Sequence, residues 1–409
     1  MQNSELSVEL LARKYFNSRQ RKWRMMMAVT VNDILHINKL ADAVVAAGSR
    51  GLNKTVRRIA TIEKPFLDHP DYCYEVVRPG DLYVSKLYVF QGHKEKLYEE
   101  IEFMRRTKGS GLITHKEVLP FLDEEVLRRA DLYHIPIIAI DDDYGFTALN
   151  YSIIDLILKD EIAQVHVANL QRILSSNLSE EIIRKHILDI IPDLAENMQA
   201  VYLSTEEVIS RNIFKIDQSD LLLPLFSGLL YVASSDDKAA IDRKKKGFIA
   251  KVKHSFVSYH VGISRCHTNL ECVKTAILES IYAEAFGRFS EKPICGYDDL
   301  GTFALLLEMK NDPLLELFWR RFYEPILQYD GENKLDLVRV LELFIVSGGD
   351  YAAVCQKLFI HETTVRYRMN KIHDLLKYKN ANEFYADART AVYSNWILHD
   401  AILQKLKAA

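Results

Sequence analysis

The 409-residue chain has only five cysteines, ten prolines and three tryptophans. The cysteines (Cys73, Cys266, Cys272, Cys295 and Cys355) are odd in number and scattered, which excludes a disulfide framework and fits reduced thiols in a cytoplasmic protein. Cys266 and Cys272 lack CxxC spacing, so they read as structural thiols rather than zinc ligands. Long apolar runs are also missing. The most apolar one, LLLPLFSGLLYVA over 221–233, is short and broken by Pro224 and Gly228, which excludes a membrane span. Basic residues crowd the first 27 positions with no apolar core behind them, so no secretory signal is read. Residues 1–29 are expected to be a disordered leader, with Met25, Met26 and Met27 offering an internal start. A net charge of −3 excludes a global positive field, so any affinity for nucleic acid must come from a local patch.

Catalytic signatures are lacking as well. No HExxH, GxSxG or phosphate-loop motif occurs. His69, His115 and His260 have no partner at ligand spacing and read as structural or surface residues. The acidic trio Asp141–Asp143 follows an apolar strand and would suit Mg²⁺, but an aspartate-rich turn accounts for it. The basic run Arg243–Lys246 is diluted by Asp236, Asp237 and Asp242 and reads as a solvated helix start. AAGSRG (46–51) lacks the full dinucleotide fingerprint, and KGSGL (108–112) reads as a turn after a helix. No catalytic residue, metal site or cofactor is therefore expected, and no effector-binding residue can be named.

What is present is a sequence of patterns. Residues 30–146 alternate strands (42–48, 57–63, 81–86, 111–115, 135–141) with helices (31–40, 93–107, 122–134), which predicts an α/β domain with a mainly parallel sheet. Residues 147–178 read as a linker helix with a weak heptad signal. A second mixed domain is expected over 179–310, with strands at 200–205, 229–234 and 258–265 and an amphipathic helix at 270–289. Residues 311–409 read as all-helical.

Within that last region, LDLVRVLELFIVS (335–347) is a helix broken by Gly348, Gly349 and Asp350. Glycine suits the end of one helix and aspartate the start of the next. The GGD therefore reads as a joint and not as the start of a nucleotide-cyclase signature. A short helix to Phe359 follows, then a tight turn held by His361, then a third helix that Thr363 is expected to cap. Val365, Met369, Ile372, Leu375 and Leu376 recur at helical steps and must face inward. The opposite face then holds Thr363, Arg366, Tyr367 and Asn370, with Thr364, Arg368 and Lys371 on the flanks. Five basic residues and one acidic residue lie between Thr363 and Lys379. This layout matches a helix-turn-helix whose last helix enters the major groove of double-stranded DNA. A generic three-helix corner with a solvated face would show the same spacing.

The stretch LELFIVSGGDYAAVCQKLFIHETTVRYRMNKIHDLL (341–376) resembles the C-terminal helix-turn-helix of the PucR/CdaR family of bacterial transcriptional regulators. Its Leu-Phe-x-His-x-x-Thr-x-x-Tyr-Arg pattern is met by Leu358, Phe359, His361, Thr364, Tyr367 and Arg368, while Val354 and Cys355 are bulkier than the family's usual alanine. Residues 44–65, 77–85 and 130–141 resemble the sensory domain of purine-catabolism regulators. Residues 261–266, 270–287 and 297–307 resemble the family's central, degenerate GGDEF-like domain. The resemblance implies a ligand-responsive regulator of a metabolic operon, an unidentified small-molecule effector, and a homodimer or higher oligomer. The competing readings are an enzyme or nucleotide-binding signalling protein with a helical dimerisation module, and an adaptor whose basic helix meets an acidic partner.

Overall fold

A computed structural model describes residues 29–37, 40, 42–65, 68, 77–176, 178–207, 209, 213–214 and 216–407. The expected leader lies outside these residues, apart from Val29. The described residues form two compact units, one ending at His166 and one beginning at Val167. No helix among them is long and apolar enough to cross a membrane.

The first unit runs α1 (Val31–Leu35), β1 (Val44–Ala47), β2 (Arg58–Thr61), β3 (Asp81–Val84), α2 (Lys94–Arg106), β4 (Gly111–His115), α3 (Glu124–Tyr133), β5 (Ile137–Ile140) and the long helix α4 (Phe146–Ser175). The sheet order is β1-β5-β4-β3-β2; β2 to β5 are parallel, and β1 closes the edge antiparallel to β5. The central strands DLYV, GLITH and IIAI are buried along their whole length, as parallel strands covered on both faces must be. Their period of two sorts the side chains. Tyr83, Leu112 and Ile137 join Leu97, Ile101, Met104, Val126 and Ala130 from α2 and α3. Leu82, Val84, Ile113 and Ile138 join Val31, Ile34, Leu149 and Ile153 from α1 and α4.

The mainly parallel α/β reading therefore holds for this unit. The helix expected over 31–40 is shorter, because His36 ends α1. Gly48 is explained by close approach: at φ +70° a Cβ there would lie 2.0 Å from the Ile135 carbonyl oxygen.

The second unit contains α5 (Glu180–Ile190), β6 (Asn197–Thr205), β7 (Leu221–Leu225), β8 (Gly228–Ser235), α6 (Lys238–Ser255), β9 (Tyr259–Ile263), α7 (Val273–Phe289) and β10 (Ile294–Gly296). Its sheet has the order β10-β9-β6-β8-β7, antiparallel except for β9–β10. Two strands escaped the sequence reading. β7 hides in the apolar run with Pro224, tolerated because β7 is an edge strand, and β10 has only three residues.

The amphipathic helix expected over 270–289 is instead buried almost all round. Its two buried carboxylates explain how. Glu279 accepts hydrogen bonds from the backbone and side-chain nitrogens of Arg265 and faces His267 Nε2 at 2.9 Å. Glu284 accepts from Ser204 and Arg288. Burial would push Glu279 upward, but Arg265 and His267 hold its pKa below the ordinary value.

The chain then turns all-helical: α8 (Thr302–Glu308), α9 (Pro313–Asn333), α10 (Leu337–Val346), α11 (Tyr351–Leu358), α12 (Glu362–Leu376), α13 (Ala381–His399) and α14 (Ala401–Lys407). A buried polar relay pins three of these helices. Trp319 Nε1 donates to Asn395 Oδ1 at 2.9 Å, and Asn395 Nδ2 donates to Glu342 at 3.1 Å. A mixed α/β region is thus followed by a helical region, as expected.

Candidate nucleic-acid interface

α10, α11 and α12 are joined by two short connections, each set by local chemistry. At the first, Gly348 (φ +65°) and Gly349 (φ +88°) turn the chain in the left-handed region. Their N–H groups donate to the carbonyls of Ile345 and Phe344 and so cap α10. Asp350 then caps α11 by accepting from the Ala352 N–H at 2.8 Å and the Ala353 N–H at 3.4 Å. At the second connection Phe359 takes the left-handed position at φ +55° and ends α11.

The start of α12 corrects the sequence reading. The N-cap is His361, not Thr363: His361 Nδ1 accepts from the Thr363 N–H at 3.3 Å and pairs with the Thr363 hydroxyl at 2.9 Å. An imidazole nitrogen does here what a hydroxyl two residues later was expected to do.

Along α12, Val365, Met369 and Ile372 are buried against the preceding helices. Thr363, Arg366, Tyr367 and Asn370 are exposed, and Thr364, Arg368 and Lys371 are half-buried at the flanks. Tyr367 is 58% exposed. Arg366 is held in place: its Nε donates to Glu362 Oε1 at 2.7 Å, and its guanidinium lies 4.2 Å from the centre of the Tyr351 ring.

The two flanking cations each approach a neighbouring helix. Lys371 Nζ sits 4.6 Å from the centre of the Tyr329 ring on α9. Arg368 Nε is buried without a hydrogen-bond partner. Burial raises the pKa values of Asp330 and Asp336, and the Arg368 charge opposes that rise. Asp330 Oδ2 in turn accepts from the Val338 N–H at 3.1 Å, securing the start of α10. Arg368 therefore stands at the junction of α9, α10 and α12.

Two features of this face were missed in the sequence. Phe359, in the turn, is 93% exposed. Glu362 and Tyr351, the partners of Arg366, drew no notice because an i,i+4 pair and a residue on another helix carry no motif. Chemically the exposed face offers a guanidinium, a carboxamide and hydroxyls. These groups pair with guanine, adenine and phosphate oxygens respectively.

An α/β domain, a second mixed sheet and a C-terminal three-helix unit with such a face define a multidomain chain that ends in a helix-turn-helix. Residues 33–157 match the purine catabolism regulatory protein-like (PucR) family model, and residues 337–386 match the PucR C-terminal helix-turn-helix domain. The chain is thus similar to PucR-type proteins in these two regions. It is 24% identical over 213 residues to the proline-responsive transcriptional activator PutR of Bacillus subtilis (strain 168). That match covers 48% of this chain and 49% of the relative, so the chain spans about half the length of the curated relative it matches. Among solved structures, a regulator of polyketide synthase expression from Bifidobacterium adolescentis matches at 14% identity, over 56% of this chain and 98% of that one, with a TM-score of 0.21.

Proposed function

We propose that the protein is a cytoplasmic DNA-binding transcriptional activator of a metabolic operon, not an enzyme, and that a small molecule controls it. In this reading residues 30–146 sense the effector and 147–178 link. Residues 179–310 form a degenerate GGDEF-like domain, and 311–409 bind DNA. The purine name of the matching family and the proline response of the Bacillus relative mark purine breakdown products and amino acids as the first effectors to try.

The observation that carries the reading is the sorting of α12 into a buried apolar face and an exposed face of Thr363, Arg366, Tyr367 and Asn370. These four side chains meet base edges and the adjoining backbone. Thr364 and Lys371 reach phosphates, Arg368 positions α12 against Asp330 and Asp336, and Gly348, Gly349, Asp350 and His361 set the angles of the helices.

The protein acts as a homodimer or higher oligomer, since one helix reads only a few base pairs. An exposed apolar stripe on α4 supports this. Tyr151, Ile154, Leu158, Ile162 and Val165 recur at steps of three and four residues, the repeat of a helix that meets a second helix. The test is a titration of the full chain against its own upstream DNA, with and without candidate metabolites. Saturable, salt-sensitive binding that a metabolite shifts is the expected result; equal binding to unrelated DNA of the same length contradicts it.

A further inference from the structure

We propose that His115, Glu117 and Asp142 form a binding site for one divalent first-row transition cation at the C-terminal edge of the first sheet. Sequence spacing hid this set, because Asp142 reaches the other two only when β4 and β5 lie side by side, with His115 in register with Ile140. One ligand atom from each residue lies within 4.8 Å of the others. His115 Nδ1 and Glu117 Oε1 are 3.9 Å apart. Adjacent donors around a tetrahedral ion with bonds of about 2.0–2.1 Å lie roughly 3.3 Å apart. The exposed carboxylates of Glu117 and Asp142 close that gap by rotation, and the buried imidazole can stay where it is.

His115 supplies the independent observation. Its side chain is 2% exposed, yet neither ring nitrogen has a hydrogen-bond partner. A buried imidazole normally satisfies at least one of its nitrogens. One face of the ring packs on Phe146, at 4.4 Å between ring centres, so the imidazole is fixed next to the carboxylates. The Tyr88 hydroxyl donates to Glu117 at 2.6 Å and orients that carboxylate.

The donor set names the ion. One imidazole with two carboxylates suits Zn²⁺, Mn²⁺, Co²⁺ or Fe²⁺, whereas Mg²⁺ and Ca²⁺ prefer oxygen alone. Asp141 is drawn out of the set by Lys116 at 2.6 Å. Asp142 Oδ1 accepts from the Glu117 N–H at 2.9 Å, which leaves its second oxygen for the ion. Lys86 Nζ lies 3.5 Å from Glu117 and is the charge that an arriving cation displaces. Three protein donors leave a position open to water or to a small oxygen-bearing ligand. The ends of parallel strands are where such sheets bind ligands.

The test uses the full chain freed of metal by a chelator. Co²⁺ is titrated and followed by its visible absorption, with Zn²⁺ as competitor. One ion per chain is expected. Glu117→Gln and Asp142→Asn, at exposed positions, should each weaken binding at least tenfold, and Lys86→Met should tighten it severalfold. Absence of saturable binding to the unmodified chain overturns the proposal, as does unchanged affinity in both carboxamide variants or weaker binding in Lys86→Met.

Discussion

The guanidinium of Arg366 lies 4.2 Å from the centre of the Tyr351 ring, so α11 carries the side chain that α12 presents. A cation held over a ring and paired with Glu362 has lost much of its rotamer freedom before any target arrives. Arg366→Ala should cost about 1–3 kcal/mol of specific DNA binding, the value of one base contact. Tyr351→Leu should keep the fold and cost only about 0.5–1 kcal/mol, the worth of an exposed cation–π contact. Fluorescence anisotropy with both variants measures the difference.

Phe359 combines a left-handed backbone with a fully presented ring, so two terms separate on substitution. Phe359→Gly should relieve about 1 kcal/mol of backbone strain and leave the urea midpoint unchanged or higher. The same variant should bind DNA more weakly if the ring touches the duplex. Gly349→Ala acts oppositely. A Cβ there meets nothing closer than 3.6 Å, so its cost is the φ of +88° alone, about 1–2 kcal/mol lower stability.

The same helices show what the sequence made legible. Helical spacing separates Val365, Met369 and Ile372 from Thr363, Arg366, Tyr367 and Asn370, and the observed burial follows that division. Period and propensity also locate every strand of the first sheet. Three of the failures share one cause: each depends on a contact with a distant partner. α7 looked amphipathic from its apolar spacing, and only Arg265, His267, Ser204 and Arg288 make the burial of Glu279 and Glu284 tolerable. β7 was lost because a proline is acceptable only at a sheet edge. His361 displaced Thr363 as the cap because α12 begins at Glu362, two residues earlier than expected. His115 and Glu117 are two residues apart in sequence, but Asp142 joins them only through strand pairing.

Glu279 makes stability depend on acid. Its folded pKa lies below the ordinary 4.5, so the stabilisation is complete above that pH and is lost as the pH falls through the folded value. Glu279→Gln should lower stability by about 2 kcal/mol at pH 7, the worth of hydrogen bonds to a buried charge. The gap between wild type and variant should narrow as the pH falls below 4.5, the ordinary value. Urea midpoints across pH 3–8 give the two curves, and a constant gap at all pH values would contradict the assignment.

The stripe on α4 makes a prediction about assembly. Leu158 stands at its centre, with Tyr151 and Val165 seven residues to either side. Leu158→Asp should convert an oligomer to a smaller species in sedimentation velocity while leaving the circular dichroism of the chain intact. An unchanged sedimentation coefficient would move the interface elsewhere.

The central claim is that the exposed face of α12 reads DNA. Its most direct test is the salt dependence of binding to the protein's own upstream DNA, measured for the unmodified chain, Arg366→Ala, Asn370→Ala and Lys371→Ala. The account predicts that the first two substitutions lose affinity for the specific site but little for random sequence. Lys371→Ala should weaken both alike and reduce the slope of log K against log salt by about one. Equal specific affinity and equal slopes in all four proteins would contradict it.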